Sequence, residues 1–132
     1  MSLPLAGNLP KCRLLIVDDD EGMRENLAEL FESVGYSVRT AANAPEALEI
    51  LDANDVDILL TDYKMPGPTG VELIEKARNR QPGLRAVLMT AFGDSFTEIE
   101  SARRGAAGYL KKPFEADQVV AFVEKILALR GD

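Results

Sequence analysis

The sequence predicts a single α/β domain in which five parallel strands alternate with five helices that cover both faces of the sheet. Short β-branched or leucine-rich segments alternate with segments of helical periodicity, and no linker or repeat interrupts residues 12–130. The length of 132 residues suits one domain of five strand–helix units. Residues 1–11 form an N-terminal tail and residues 131–132 a C-terminal end in this interpretation.

The first half of the chain carries the clearest strand signals. A continuous apolar run is typical of a strand that is buried on both faces. Alternating residues indicate a second strand, and Asn43 followed by Glu46 has the form of a capping box that opens a helix. In order, we predict a strand at 13–17, a helix up to Gly35, a strand at 36–41, a helix from Asn43 to about Ala53 and a strand at 56–61.

The second half repeats the pattern. Thr69 and Glu72 again have capping-box spacing, and Pro82-Gly83 is a turn. In order, we predict a helix from Thr69, a strand at 85–89, a helix from Asp94 or Ser95 to about Gly105, a strand at 107–110 and a final helix from about Glu115.

The fourth predicted helix has only a thin apolar stripe, formed by Phe96, Ile99 and Ala102. Two interpretations remain open for this stripe. It packs into the core, or it belongs to a weakly docked and mobile element, for which few apolar contacts are typical.

Composition excludes several classes of function. The net charge of −7 argues against nucleic-acid binding by this domain, because such binders carry excess positive charge. The absence of histidine excludes histidine-based triads, imidazole metal ligands and a phosphohistidine carrier. No apolar run approaches the length of about 18 residues that a membrane span requires.

A reducing, cytoplasmic location is expected. The single cysteine, Cys12, excludes an internal disulfide and fits the apolar environment of a small core residue. The first 11 residues lack the charged and apolar regions of a secretion signal.

Polar residues follow four of the predicted strands at the point where each strand ends. The carboxyl ends of parallel strands share one edge of the sheet, where ligands bind at the switch point of the strand order. Strands 1 and 3 are expected to be neighbours there, so carboxylates distant in sequence should converge. The residues are Asp18, Asp19 and Asp20 after strand 1, Asp62 after strand 3, Thr90 after strand 4 and Lys112 after strand 5.

Convergent carboxylates repel one another, and a bound cation relieves the repulsion. A hard divalent ion with oxygen ligands fits best, and Mg²⁺ usually takes one or two carboxylates together with waters and a phosphate oxygen. The absence of nearby thiolate or imidazole argues against Zn²⁺. Asp20 begins the loop into the first helix, so we expect it to be a solvated loop residue or a helix cap rather than a member of the site.

These residues resemble the receiver domain of two-component response regulators over residues 12–129. Each matching segment alone is a weak signal, but their order and spacing together are specific. The resemblance implies a flavodoxin-like three-layer sandwich with strand order 2-1-3-4-5. The matching segments are Leu15–Asp19, Leu59–Pro66 with Gly70, Leu88–Ala91 and Gly105–Phe114.

The resemblance implies a role for each site residue. Asp62 is the expected phosphoacceptor, Lys112 pairs with the phosphoryl group, and Thr90 with Tyr109 forms the switch. The expected ligands of Mg²⁺, for which Mn²⁺ could substitute, are Asp18, Asp19, Asp62 and the backbone carbonyl of Lys64.

One segment departs from the family pattern. The loop that often reads Met-Pro-Gly-x-Asp-Gly is Met-Pro-Gly-Pro-Thr-Gly at 65–70 here. Because Thr69 can still cap the third helix, altered loop rigidity is expected rather than lost chemistry.

The resemblance also implies partners and a mechanism. The phosphoryl donor is expected to be a phosphohistidine on a sensor histidine kinase or a histidine phosphotransfer protein. Phosphorylation should change the face formed by helix 4, strand 5 and helix 5, which controls an output domain or target protein, and homodimerisation on activation is a further expectation. The domain is not a conventional enzyme, although it should catalyse its own phosphorylation and slow dephosphorylation.

Two other functions remain as alternatives. The chain could be a receiver-like interaction module that works without phosphorylation. It could also be a metal-dependent hydrolase that uses Asp18 and Asp20 as nucleophile and acid, although such enzymes usually add a cap over the substrate.

Overall fold

The computed structural model of the protein describes residues 12–91 and 94–129. The predicted tail at 1–11 and the predicted end at 131–132 lie outside the described residues, as does residue 130. The division of the chain into tail, domain and end therefore stays a prediction.

Strands and helices alternate through all of the described chain, as the sequence predicts. Within that part of the chain, no helix has both the length and the apolar character needed to cross a membrane. The strands are β1 (Arg13–Val17), β2 (Ser37–Ala41), β3 (Ile58–Asp62), β4 (Arg85–Thr90) and β5 (Gly108–Lys111). The helices are α1 (Glu21–Ser33), α2 (Ala44–Ala53), α3 (Gly70–Arg80), α4 (Ser95–Arg103) and α5 (Ala116–Ala128).

The sheet has five strands in the order β2-β1-β3-β4-β5, and each pair of neighbours is parallel. This confirms the predicted flavodoxin-like order. The register aligns the strand ends, because Val17 lies opposite both Ala41 and Thr61, while Thr90 lies opposite Lys111. The residues that follow these positions therefore meet at one edge.

The central strands divide the core into two layers. In β1, Leu15 and Val17 face the layer under α2 and α3, while Leu14 and Ile16 face the layer under α1 and α5. Side chains alternate between the faces of a strand, so a run without polar residues is what burial on both faces requires. Each residue from Leu14 to Val17 is at most 1% exposed. This confirms the prediction that β1 is buried on both faces. The residues that directly follow β1 therefore extend from a fully packed strand.

Side-chain caps fix the first residues of α1, α3 and α4, the helices that follow the carboxyl ends of β1, β3 and β4. Asp20 Oδ1 accepts a hydrogen bond from the Met23 N–H, so of its two expected roles, loop residue or helix cap, Asp20 takes that of the cap of α1. Thr69 and Glu72 form a complete capping box at α3, as predicted, although the loop at 65–70 departs from the family pattern. Asp94 caps α4 by accepting from the Thr97 N–H, and this bond lowers the pKa of the Asp94 carboxyl.

Several strand ends differ from the predictions by one or two residues, and side-chain contacts account for the start of β3 and for a displaced capping box at α2. The carboxylate of Glu46 accepts from the N–H of Ala42 rather than from that of Asn43, so the predicted capping box of α2 is displaced by one residue on that side. Strand β3 begins at Ile58 rather than at 56, because the Val56 N–H donates to the Gln81 side chain instead of to a neighbouring strand.

The apolar stripe of α4 faces outwards. Phe96 is 74% exposed and Ile99 is 58% exposed, and Ala102 is exposed as well. The buried residues of α4 are Thr97 and Ser101. The interpretation of the stripe as core packing is therefore wrong, because the hydroxyl-bearing side of the helix lies against the sheet.

The Tyr36 side chain is predicted to destabilise the fold when it ionises at alkaline pH. Its ring packs edge-on against Phe31 at a centroid distance of 5.1 Å, and burial raises the pKa of Tyr36 from 10.0 to about 12. The folded protein therefore keeps the phenolic proton in a range where the unfolded chain releases it, and stability is lost as pH rises from 10 to about 12.

The measurement is urea unfolding of the wild type and of Tyr36→Phe at several alkaline pH values. The difference in the free energy of unfolding between the two proteins should shift in favour of Tyr36→Phe across this range. A difference that stays constant with pH would contradict the prediction.

Candidate functional site

The site lies at the carboxyl edge of the parallel sheet, where the backbone fixes four of the predicted residues. Asp18 extends β1, since its N–H donates to the Ala41 carbonyl at 3.2 Å. Asp62 and Thr90 are the last residues of β3 and β4. Lys112 continues the pairing of β5, because its N–H donates to the Thr90 carbonyl at 2.8 Å. The predicted convergence of these strand ends is therefore observed.

Three carboxylates form an acidic cluster at this edge. Asp18, Asp19 and Asp62 each place a carboxylate oxygen within 4.8 Å of those of the other two. Asp18 is fully buried, Asp62 is 9% exposed, and Asp19 is exposed. The charges of Asp18 and Asp62 are thus largely removed from solvent, while the Asp19 carboxylate of the same cluster is in contact with solvent.

The ammonium group of Lys112 lies between two of these carboxylates. Its Nζ is 3.2 Å from Asp18 Oδ2 and 3.2 Å from Asp62 Oδ1. The peptide bond between Lys112 and Pro113 is cis. One cation therefore faces the acidic cluster directly, and the cluster retains a net negative charge when its carboxylates are ionised.

The pKa values of Asp62 and Lys112 reflect this balance. Burial raises the pKa of Asp62, and Asp18 adds to the effect, while Lys112 opposes it. Burial alone would lower the pKa of Lys112, but Asp18 and Asp62 outweigh it and raise that pKa. Lys112 is therefore a firmly held cation, and Asp62 is a carboxylate whose charge is costly to keep.

Asp18 is held through its side chain and its main chain. Its Oδ1 accepts from the Asp20 N–H at 3.0 Å, and its carbonyl accepts from Arg24 Nη1 at 2.8 Å. The sequence analysis missed Arg24. Arg24 lies early in the helix that directly follows the acid pair, but no residue pattern marks its contact with a backbone carbonyl.

Gly70 allows the chain to pass close to Asp62. A Cβ at position 70 would lie 2.1 Å from the carbonyl oxygen of Asp62 and 2.9 Å from Leu88 Cδ1. The Gly70 N–H donates to the Tyr63 carbonyl at 2.8 Å. The start of α3 thus packs directly on the backbone of the candidate phosphoacceptor.

The remaining predicted residues surround this centre. Thr90 is 1% exposed at the end of β4, and Tyr109 is partly buried in β5 against the layer under α2 and α3. Lys64 lies beyond Asp62 in the loop before α3, with an exposed side chain. Asp20 is not a member of the acidic cluster and caps α1 instead.

The donor set of the cluster fits a hard divalent cation. All of its side-chain donors are carboxylate oxygens, which suit Mg²⁺ and Mn²⁺ better than softer metals. Asp18, Asp19 and Asp62 are the side chains that could hold such an ion. The carboxylate of Asp62 is also an oxygen nucleophile close to a fixed ammonium group.

Comparison with known proteins places this chain in one family. The family model of the response regulator receiver domain matches residues 14–124. The chain therefore belongs to the response regulator receiver domain family. Receiver domains interact with histidine kinases and output domains, and they generally bind Mg²⁺ at an acidic pocket such as the cluster seen here.

Particular relatives show the same domain alone and within longer chains. The chain is 36% identical to sporulation initiation phosphotransferase F of Bacillus subtilis over 91% of its own length and 97% of the relative's. It is 36% identical to the DNA-binding transcriptional regulator NtrC of Escherichia coli over 86% of its own length, but spans only 24% of that relative. A CheY-like receiver domain structure from Methanospirillum hungatei superposes with a TM-score of 0.87 at 30% identity, covering 90% of this chain and 95% of the other.

Replacing Gly70 is predicted to damage the fold and the site together. In Gly70→Ala, the new methyl group overlaps the Asp62 carbonyl, so the backbone must move either at residue 70 or at residue 62. Overpacking of this kind typically costs about 1–3 kcal/mol. Urea unfolding should show a loss of stability in this range.

Gly83→Ala is the matched control for this change. A Cβ at position 83 meets no atom within 4 Å, so its effect should stay within about 0.5 kcal/mol. Equal stability losses in the two variants would contradict the packing argument.

Replacing Asp62 is predicted to stabilise the protein when no divalent ion is present. The raised pKa of Asp62 means that the folded state holds its proton more tightly than the unfolded chain does. Stability is therefore lost as pH rises above the ordinary value of 3.8 and through the raised pKa. Asp62→Asn removes this charge and should have the higher free energy of unfolding at neutral pH.

The measurement is urea unfolding of both proteins in the presence of a chelator. The advantage of Asp62→Asn should shrink as the pH falls towards the ordinary pKa of an aspartic acid. A wild type that is the more stable protein at neutral pH would refute the prediction.

Proposed function

We propose that the protein accepts a phosphoryl group on Asp62 in a Mg²⁺-dependent reaction and that this modification controls an output. The observation that carries the proposal is the position of Lys112, whose ammonium group contacts both Asp18 and Asp62 within the acidic cluster. Membership of the receiver domain family supports it.

Asp62 is the proposed nucleophile. One of its carboxylate oxygens forms a bond to phosphorus while the bond from phosphorus to the donor atom breaks, and the donor keeps the electron pair. A carboxylate is a competent nucleophile towards phosphorus when the charge of the incoming group is neutralised. Transfer then depends mainly on positioning and electrostatics, which rigid strand ends provide.

We propose that the ammonium group of Lys112 pairs with the carboxylates before phosphorylation and with a phosphoryl oxygen after it. Its ammonium group already lies 3.2 Å from Asp62, so a phosphoryl oxygen attached there would fall within its reach. Mg²⁺, when bound, would supply further neutralisation of the phosphoryl oxygens. Asp18, Asp19, Asp62 and the backbone carbonyl of Lys64 are the proposed ligands.

Thr90 and Tyr109 are the proposed switch. A phosphoryl group on Asp62 adds roughly two negative charges and three acceptor oxygens at the end of β3. The Thr90 hydroxyl, at the end of the neighbouring strand, can donate to it and draw the following loop inwards. We propose that the Tyr109 ring then turns inwards and changes the face of α4, β5 and α5, which is a shift between two packings.

The proposed partners follow from the same chemistry. The chain has no histidine, so a phosphohistidine donor must come from a histidine kinase or a histidine phosphotransfer protein. An output domain or target protein would read the changed face, and homodimerisation on activation is a further proposal. The proposed compartment is the cytoplasm, to which the single cysteine is suited.

The structure bears on the hydrolase alternative through Asp20. That mechanism requires Asp20 as an acid at the site, but its carboxylate accepts from the Met23 N–H and caps α1. This contact favours the phosphoacceptor function over hydrolysis.

Incubation with Mg²⁺ and a small acyl phosphate tests the proposed function. Intact-protein mass spectrometry should show one added phosphoryl group on the wild type and none on Asp62→Asn, because the nucleophilic oxygen is lost. Omission of Mg²⁺ should reduce the modification strongly. Asp117→Asn, which changes an exposed acid in the first turn of α5, should be modified like the wild type.

Two results would overturn the proposal. An unmodified wild type would favour an interaction module that works without phosphorylation. Steady turnover of many equivalents of acyl phosphate, dependent on Asp18 or Asp20 rather than on Asp62, would favour a hydrolase.

A further inference from the structure

Arg24 makes a contact that the proposed chemistry does not use. Its Nη1 donates to the carbonyl of Asp18 at 2.8 Å, and the Arg24 N–H donates to the Asp20 carbonyl at 2.9 Å. The guanidinium group therefore reaches back from α1 to the main chain at the end of β1. Asp18 is fully buried, so its carbonyl depends on a protein donor rather than on water.

The carbonyl that Arg24 contacts belongs to the peptide unit that joins Asp18 to Asp19. Because a peptide unit is planar, fixing its oxygen fixes the plane and with it the direction in which the chain enters Asp19. The Asp18 side chain is held separately by the Asp20 N–H and by Lys112. The carboxylate of Asp19 is exposed, and Asp19 follows directly on the peptide unit that Arg24 contacts.

The charge of Arg24 works against the binding of a cation. A guanidinium group beside the acidic cluster repels a divalent ion, so electrostatics alone would favour a neutral residue at this position. What arginine offers is a planar group with several donors in fixed directions, which lysine lacks. The hydrogen bond to the Asp18 carbonyl, rather than the positive charge, therefore accounts for an arginine at position 24.

We propose that Arg24 is a positioning residue for the metal site. By holding the Asp18–Asp19 peptide unit, it presents the two neighbouring carboxylates to a divalent cation in one fixed arrangement, and it does so through geometry rather than charge. This inference rests on the proposed function, since it assumes that Mg²⁺ binds at the cluster.

Isothermal titration with Mg²⁺ alone tests the inference on the full chain. Arg24→Lys keeps the charge and loses the planar donor group, and its dissociation constant for Mg²⁺ should rise about tenfold, as for other residues that orient metal ligands. Arg24→Gln should also bind more weakly than the wild type, but by a smaller factor, because it removes the repulsion as well as the contact.

Arg78→Lys is the matched control. Arg78 Nη1 donates to the carbonyl of Leu84 at 3.0 Å, so the same type of contact is lost near the start of β4, at the opposite edge of the sheet. This variant should lose stability in urea unfolding while its affinity for Mg²⁺ stays at the wild-type value. A general loosening of the fold would instead weaken Mg²⁺ binding in both arginine variants.

The outcomes separate the inference from the function on which it rests. No heat of Mg²⁺ binding with the wild type would overturn the proposed function and this inference together. A wild type that binds Mg²⁺, with Arg24→Lys unchanged and Arg24→Gln tighter, would show that Arg24 acts only as a charge and would overturn the inference alone. Equal weakening in Arg24→Lys and Arg78→Lys would also overturn it.

Discussion

The structure depends on an incomplete balance of charge in a partly buried site. Lys112 places one ammonium group 3.2 Å from both Asp18 and Asp62, and Asp19 adds a further carboxylate to the same cluster. Buried charges are tolerated only when they are paired or coordinate a metal. One lysine pairs with two of the three carboxylates without neutralising the cluster, which is the charge balance that the proposed binding of a divalent cation would complete.

The strand order shows how far in sequence the balancing lysine, which directly follows β5, lies from the carboxylates that it contacts. Lys112 and Asp18 lie 94 residues apart in sequence, and β3 and β4 lie between their strands in the sheet. A long, flexible stem with a compact charge lets Lys112 contact both carboxylates at its end. The buried runs of β1 and β3 in turn keep the carboxylates in place, since each of these strands packs into core layers on both faces of the sheet.

Much of this arrangement could be predicted from the sequence. Periodicity predicts the ten elements because each strand and most helices bury an apolar side, and the shared carboxyl edge predicts the meeting of Asp18, Asp19, Asp62 and Lys112. The contact of Arg24 with a backbone carbonyl could not be predicted, because no pattern of residue types marks a main-chain acceptor. The close packing at Gly70 likewise depends on the path of the chain rather than on residue type alone.

The fourth helix shows where periodicity fails and why the failure bears on function. Its inward residues are Thr97 and Ser101, and the Ser101 hydroxyl donates to the Glu98 carbonyl within the same helix. Such a side can lie against the sheet without apolar burial, so little hydrophobic energy fixes the orientation of the helix.

The ends of α4 are held by polar contacts instead. Asp94 caps its start, and Arg104 at its end lies 3.3 Å from both Glu75 of α3 and Glu100. Exposed ion pairs of this kind contribute about 1 kcal/mol or less each. A helix that is held mainly by such contacts can change its packing for a few kcal/mol, which is the scale of a population shift between two states. The weak docking of α4 thus suits the element through which the proposed phosphorylation of Asp62 would reach the surface.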